Sequence, residues 1–362
     1  MGEESDPLAE AEDLMARGKP REAAFLLDDL HARGRGGLLL QTARVRAWIA
    51  SGEPDRALAA AREVASLHPN IAFAAFSLGT ALLAAGHLAA AIGEFQRTLR
   101  LDPDLVDARM ALGCAWLEAG EADKAEDAFN AIPAAAAPPA LAARRAEIMS
   151  MRARTRSDPR YVRHLFDEFS SDYDTRMLGQ LGYSAPAILR NLADLMGLAQ
   201  HGNLKVLDLG CGTGLAGAAF RDIATSLAGI DLSPAMVEKA RARGIYDTLR
   251  LGDIETAPVL FERRYDLVVA ADTLVYLGAL ATLFRAISPM LEPAGHFLFT
   301  VERKDGEGFE LGPKRRWRHS ETYLRAEAER ARFDVAGFLE CTPRTEAGVP
   351  VPGYAVALAR LY

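Results

Sequence analysis

The sequence is poor in the residues that staple, coordinate or grip by charge. Its 362 residues include three cysteines, Cys114, Cys211 and Cys341, widely scattered and without a C-x-x-C pair. That excludes a disulfide framework or a cysteine zinc ribbon and fits a reducing, cytoplasmic setting. No His, Cys and carboxylate group has metal-ligand spacing, so no metal is expected. Basic residues are outnumbered, 42 Lys and Arg against 49 Asp and Glu, for a net charge of -7. A general electrostatic grip on nucleic acid needs the opposite balance. The acidic start MGEESDPLAEAEDL lacks the basic and apolar regions of a secretory signal, which again reads as cytoplasmic.

Charge is absent altogether between Glu63 and Glu94, a stretch long enough to span a bilayer. It is broken by His68-Pro69-Asn70 and Gly86-His87 and built mostly of alanine, which drives insertion weakly. Packed helices outside a membrane are expected. Gly18, Gly52, Gly86 and Gly120 recur every 34 residues, as do Ala23, Ala57, Ala91 and Ala125, and Pro69 with Pro103. This period marks a two-helix repeat in which Gly turns the chain and Ala lets helices approach. Both interruptions of the apolar run fall on inter-helix turns.

The third copy carries Leu78-Gly79, Gly86, Ala91, Phe95 and Pro103, and the fourth Leu112-Gly113, Trp116, Gly120, Ala125 and Phe129. These positions resemble tetratricopeptide repeats. The second copy has Arg44-Val45 where Leu-Gly is usual, and the first lacks most of a leading helix. About three and a half repeats over residues 1–135 are expected, forming an N-terminal α-solenoid. PAAAAPPA, Pro133 to Ala140, then opens a linker and bridging helix, 136–158. Such arrays present a concave face to a protein partner or a second copy, or only stabilise a neighbour.

From residue 159 to 362 short apolar runs alternate with helical segments. KVLDLG, SLAGID, LRLGD, YDLVVAA and GHFLFTVE read as strands of a doubly wound sheet. FDVAGFLE and GYAVALARLY lie close enough to pair as a terminal hairpin. GTGLAG matches the dinucleotide pattern, yet the same glycines, Gly210, Gly212 and Gly214, also complete VLDLGCGTG. A helix opening after them suits a pyrophosphate or a carboxylate equally. Asp231, closing the second strand, serves the ribose of either cofactor. Asp208, just before the glycines, discriminates, because a fixed negative charge repels a pyrophosphate and attracts an ammonium. Asp253, after the third strand, is placed to accept from an adenine amino group while Ile254 packs on the ring.

VLDLGCGTG, GIDLSPAMVEKAR, GDIE and YDLVVAADTLVYL, in this order, resemble the class I S-adenosylmethionine-dependent methyltransferases. The resemblance implies a Rossmann-like seven-stranded sheet with a reversed last strand, S-adenosylmethionine as cofactor and S-adenosylhomocysteine as product. It implies a cofactor site of Asp208, Gly210, Cys211, Gly212, Gly214, Asp231, Leu232, Met236, Asp253, Ile254 and Ala270. YVRHLFDEFSSDYDTRMLGQLGY resembles the lid helices of small-molecule methyltransferases, 159–200, with Tyr173 closing on the methionine end beside Tyr161 and Phe169. Gly217 is a close-packing position on the first helix.

Acceptor residues in this fold come from beyond the fourth and fifth strands, here Asp272 and Tyr276, then Trp317, His319 and Tyr323. His319, in a loop before the helix cap Ser320, has the ordinary pKa of a base, and Tyr276 is placed to donate to an acceptor oxygen. The basic run Lys314 to Arg318 orients an anion or is only a solvated loop, and Arg344 and Glu346 border the same region. The whole chain is similar to bacterial tetratricopeptide-repeat methyltransferases. That implies methyl transfer to an oxygen or nitrogen of a small or carrier-bound metabolite, with a protein methyltransferase or a non-catalytic scaffold as alternatives.

Overall fold

The computed structural model describes residues 6–261, 264–312 and 314–361, which divide into two units, one ending at Ala153 and one beginning at Arg154. In the first unit the helices come in pairs: Pro7–Ala16 with Pro20–Ala32, Leu38–Ala50 with Pro54–Leu67, Ala72–Ala84 with Leu88–Leu101, and Val106–Glu118 with Ala122–Asn130. A further helix, Ala140–Arg152, buries Leu141, Ile148 and Met151 in one cluster with Phe129. Gly18, Gly52, Gly86 and Gly120 turn each pair with φ between 72° and 80°, a left-handed conformation that glycine takes without strain.

The first repeat differs from expectation. Its leading helix is present with ten residues, started by Pro7 and capped by the Asp6 side chain, which accepts from Leu8 N. The charge-free stretch is spread over three helices, and no helix among the described residues is long and apolar enough to cross a membrane.

The irregular second repeat has a packing explanation. A Cβ on Gly79 would stand 2.7 Å from the Phe95 ring, and one on Gly113 2.2 Å from that of Phe129. One repeat earlier the same two positions are Val45 and Ala61, and before that Ala11 and Leu27, all buried. The bulk has moved from the second helix to the first in copy two, so the missing Leu-Gly reflects a size exchange rather than a lost repeat. Gly113→Ala is therefore expected to destabilise the first unit by about 1–3 kcal/mol through overpacking. Phe129→Leu should recover part of that loss in the double variant, measured by denaturant unfolding; equal costs with and without Phe129→Leu would disprove the exchange.

The second unit is built on strands β1 (Leu204–Leu209), β2 (Ala224–Asp231), β3 (Thr248–Leu251), β4 (Tyr265–Ala270), β5 (Leu291–Arg303), β6 (Phe309–Leu311), β7 (Trp317–His319), β8 (Phe333–Cys341), β9 (Thr345–Glu346), β10 (Val349–Pro350) and β11 (Gly353–Arg360). The sheet runs β3-β2-β1-β4-β5-β11-β8, parallel throughout except for β11, which pairs antiparallel with both β5 and β8. This is the expected Rossmann-like seven-stranded sheet with its reversed strand. The pair β6 and β7 is an addition, joined to the end of β5.

Apolar clusters cover both faces, one around Leu207, Val268 and Phe299, the other around Val206, Leu267 and Leu298. Adjacent residues of the same strands feed opposite faces, as strand alternation requires. Strand order reverses at β1, so the crevice beyond the carboxyl ends of β1 and β4 is the natural ligand position.

Candidate active site

At the end of β1 the chain takes positive φ at Gly210 (66°), Gly212 (52°) and Gly214 (95°). A Cβ on Gly210 would meet Thr273 at 2.4 Å, whereas Gly212 has nothing within 4 Å. Gly212 N donates to Asp231 Oδ2 at 2.9 Å, and Ser233 N to Asp231 Oδ1 at 2.8 Å. The Asp231 carboxyl thus locks the glycine turn to the end of β2. Burial raises its pKa to about 6 despite those two donors.

Tyr246 underlies this turn, and the sequence reading missed it. Its hydroxyl occupies the space of the side chain absent from Gly217, 2.2 Å from a Cβ placed there, and its ring that of Gly229, 2.9 Å from the corresponding Cβ. The same hydroxyl donates to Asp208 Oδ2 at 2.7 Å. Asp208 has no exposed surface and burial raises its carboxyl to about 7. The fixed charge expected at the methionine end is instead a buried carboxyl behind the loop.

A pocket opens beyond the glycines, walled by Gly210, Gly212, Asp231, Leu232, Asp253 and Ile254 on one side and by Ala271, Asp272, Thr273, Tyr276 and Leu277 on the other. Val162, Phe166 and Tyr173 close it from the segment that begins with helix Pro159–Phe169. Ser233 Oγ donates to Asp167, Thr213 Oγ1 to Asp174, Arg243 to Asp174, and Lys239 to Ser171 O, so the segment from Asp167 to Asp174 is clasped to the glycine turn and to helix Pro234–Ala242 with its caps. Tyr173 is half-buried, and desolvation of its hydroxyl pushes its pKa far up.

Arg156 completes the rim. It pairs with Asp253 at 2.7 Å and with Glu255, while Thr155 O accepts from Gly278 N and Ala279 N. The segment read as linker up to residue 158 therefore contributes a pocket wall. Nothing in the local sequence marks it, because its partners lie 97 and 99 residues away.

Residues 206–295 match the model of a methyltransferase domain, and residues 42–105 and 76–140 match that of the tetratricopeptide repeat. The chain joins tetratricopeptide repeats to a methyltransferase domain. It is 32% identical over 102 residues to a malonyl-[acyl-carrier protein] O-methyltransferase of Priestia megaterium, covering 27% of this chain and 36% of that protein. It is 28% identical over 112 residues to a ubiquinone biosynthesis O-methyltransferase of Proteus mirabilis, covering 30% and 46%. The chain spans less than half the length of either relative. The crystal structure of magnesium protoporphyrin IX methyltransferase from Synechocystis aligns with 18% identity and a TM-score of 0.44, over 56% of this chain and 97% of that one.

Within the methyltransferase domain, Tyr173, Gly210, Gly212, Asp231, Leu232, Asp253 and Ile254 meet at the pocket. Asp208, Cys211, Gly214, Met236 and Ala270 do not line it. Cys211 is buried, its N–H donating to Ile230 O, and Gly214 faces Arg243 and Tyr246. Met236 is fully buried on helix Pro234–Ala242, its N–H capped by Ser233 Oγ. Strand alternation turns Ala270 into the core and leaves Ala271 at the wall.

Of the acceptor candidates, Asp272 and Tyr276 line the pocket. Asp272 holds φ at 56°, a left-handed conformation uncommon outside glycine. Trp317, His319 and Tyr323 lie elsewhere, because the run expected to be a loop is the strand β7. His319 has no exposure, and its Nε2 donates to Gly278 O at 3.0 Å. Its ring stacks on Tyr323 at 5.8 Å, and burial lowers its pKa to about 4. It is a neutral core imidazole and not the expected base. Trp317 packs on Phe309 at 5.6 Å, and the Tyr323 hydroxyl accepts from Leu280 N at 2.8 Å. Among the described residues no cluster of three or more His, Cys, Asp or Glu is arranged to hold a metal ion.

Proposed function

We propose that this protein is an S-adenosylmethionine-dependent methyltransferase that acts on an oxygen or nitrogen of a small or carrier-bound acceptor. The observation that carries the reading is the Asp231 carboxylate, locked to Gly212 and Ser233 and lining the pocket beside the open face of Gly212. Each oxygen has a lone pair left for a ribose hydroxyl. Leu232 and Ile254 offer apolar contact to a purine, and Asp253 sits at the same end. Asp253 is paired with Arg156 and Asp272 with Arg344, so Asp231 is the pocket carboxylate without an ion-pair partner among the described residues, and its charge suits a cationic sulfur and ammonium better than a pyrophosphate.

Bound there, S-adenosylmethionine would supply a methyl group already activated on a cationic sulfur. The chain's own part is to hold and shield. Asp231 fixes the ribose end, Phe166 and Tyr173 exclude water, and Asp272 and Tyr276 border the opening to the acceptor side. Two relatives are named O-methyltransferases, one acting on a malonyl group held by a carrier protein, which favours oxygen and a carrier-bound or small acceptor. The repeats are read as a docking or self-association face, since Leu39 and Phe73 stand exposed exactly one 34-residue period apart on successive leading helices.

Calorimetry with S-adenosylhomocysteine, followed by incubation of the protein with methyl-labelled cofactor and cell extract, tests the reading. Saturable binding and transfer of label to the low-molecular-weight or carrier fraction are expected. Absence of binding would end the proposal.

A further inference from the structure

A second cavity adjoins the cofactor pocket, sharing Phe166, Tyr173 and Tyr276 with it. Its body is mainly apolar, walled by Tyr161, Leu165, Phe169, Met177 and Leu181, with Gln180 and with Arg176, whose guanidinium lies over the Phe169 ring. One end is ionic, formed by Lys314, Arg316 and Glu346.

The ions at that end are unequally satisfied. Arg344, whose side chain is wholly buried, donates to Asp272, to Glu302 and, at 3.1 Å, to Glu346. Lys314 also binds Glu346. Arg316 reaches the same three carboxylates only at 3.6, 3.9 and 3.9 Å and makes no hydrogen bond among the described residues. Its Nη1 is buried without a hydrogen-bond partner. A guanidinium has five donors in a fixed fork, and donors left without an acceptor away from water are unfavourable. Charge gives the same answer. Three carboxylates, Asp272, Glu302 and Glu346, face four cations, Arg344, Arg316, Lys314 and Arg318, the last 3.5 Å from Glu302. One positive charge is uncompensated.

We infer that the methyl acceptor is an organic acid, with an apolar body between Tyr161, Phe169 and Met177 and a carboxylate received by Arg316. A single carboxylate matches the one unmatched charge, whereas a phosphate dianion would be repelled by the three acids around the guanidinium. The planar fork of Arg suits two-point binding of a carboxylate. Tyr276 stands where both cavities meet, its ring 6.0 Å from the Arg316 guanidinium carbon. The acceptor's head is thereby fixed within a side chain's reach of the cofactor pocket. The inference rests on the methyltransferase reading for the role of this cavity, but the binding it describes is measurable on its own.

The probes are matched pairs of acids and primary amides: hexanoate, phenylacetate, cinnamate and indole-3-acetate, each with its amide. Binding is followed by ligand-observed NMR with and without S-adenosylhomocysteine. At least one acid is expected to bind about tenfold or more tightly than its amide. Arg316→Met should abolish that preference, and Arg316→Lys, which keeps the charge but not the fork, should retain part of it. Thermal unfolding of both variants separates lost recognition from lost fold. If no acid exceeds its amide, or if folded Arg316→Met keeps the preference, the inference is overturned. Failure of S-adenosylhomocysteine to bind the wild type would instead remove the methyltransferase reading, leaving the acid preference to stand or fall by the unloaded measurements.

Discussion

Asp231→Asn is expected to weaken S-adenosylhomocysteine binding by about a hundredfold at pH 7.5. Two hydrogen bonds to a charged acceptor, each contributing roughly 1.5–3 kcal/mol, disappear or weaken together in the variant. The amide also places a donor against either Gly212 N or Ser233 N, so the glycine turn loses one of the two contacts that set its shape. The wild type should show a related pH effect. With its carboxyl at about 6, Asp231 becomes protonated as the pH falls through that value, and cofactor affinity should fall with it. Calorimetric titrations of both proteins between pH 5 and 8 check this. Affinities within threefold of each other would mean that the ribose lies elsewhere.

Asp208→Asn is expected to do the reverse to stability. Burial holds the Asp208 carboxyl at about 7, above the 3.8 of a free aspartate, so between these values the folded chain keeps a proton that the unfolded chain has released. Stability contributed by this group therefore falls as pH rises from about 4 to 7, and the full penalty remains above 7. Asparagine has no such titration and still offers Tyr246 an oxygen. The variant should gain about 2 kcal/mol at pH 8, seen as a melting temperature higher by several degrees, and gain little at pH 5. S-adenosylhomocysteine affinity should change by less than threefold, because Asp208 does not line the pocket. A lower melting temperature at pH 8 with lost binding would restore Asp208 to the role of ammonium ligand that its place in VLDLGCGTG implied.

The contrast between these two aspartates shows where sequence reasoning holds. Asp231 ends a strand beside a turn whose three glycines all take positive φ, and both conditions are local. Asp208 sits two residues before that turn, yet its surroundings depend on Tyr246, from a loop that packs under Gly217 and Gly229. The open space at two glycines was the signal that a large side chain comes from elsewhere, but nothing local says which.

The same distinction separates the two halves. Four copies of a 34-residue period were legible because each repeat packs against its sequence neighbours, even where Val45 and Ala61 exchange the bulk of Gly79 and Phe95. The stretch Trp317 to His319, expected as a loop, is a strand because its partners β5 and β6 decide its conformation. His319 became a core residue for that reason.

Glycines in obligatory left-handed turns, a repeat period and the acid closing β2 are properties that the amino-acid order determines, because each depends on backbone geometry or near neighbours. Arg156 at the pocket rim, Tyr246 beneath the glycine turn and the unequal sharing of three carboxylates between Arg344 and Arg316 were decided only by the tertiary structure. Each arises between groups tens of residues apart, and an electrostatic environment is set by distance in space rather than along the chain.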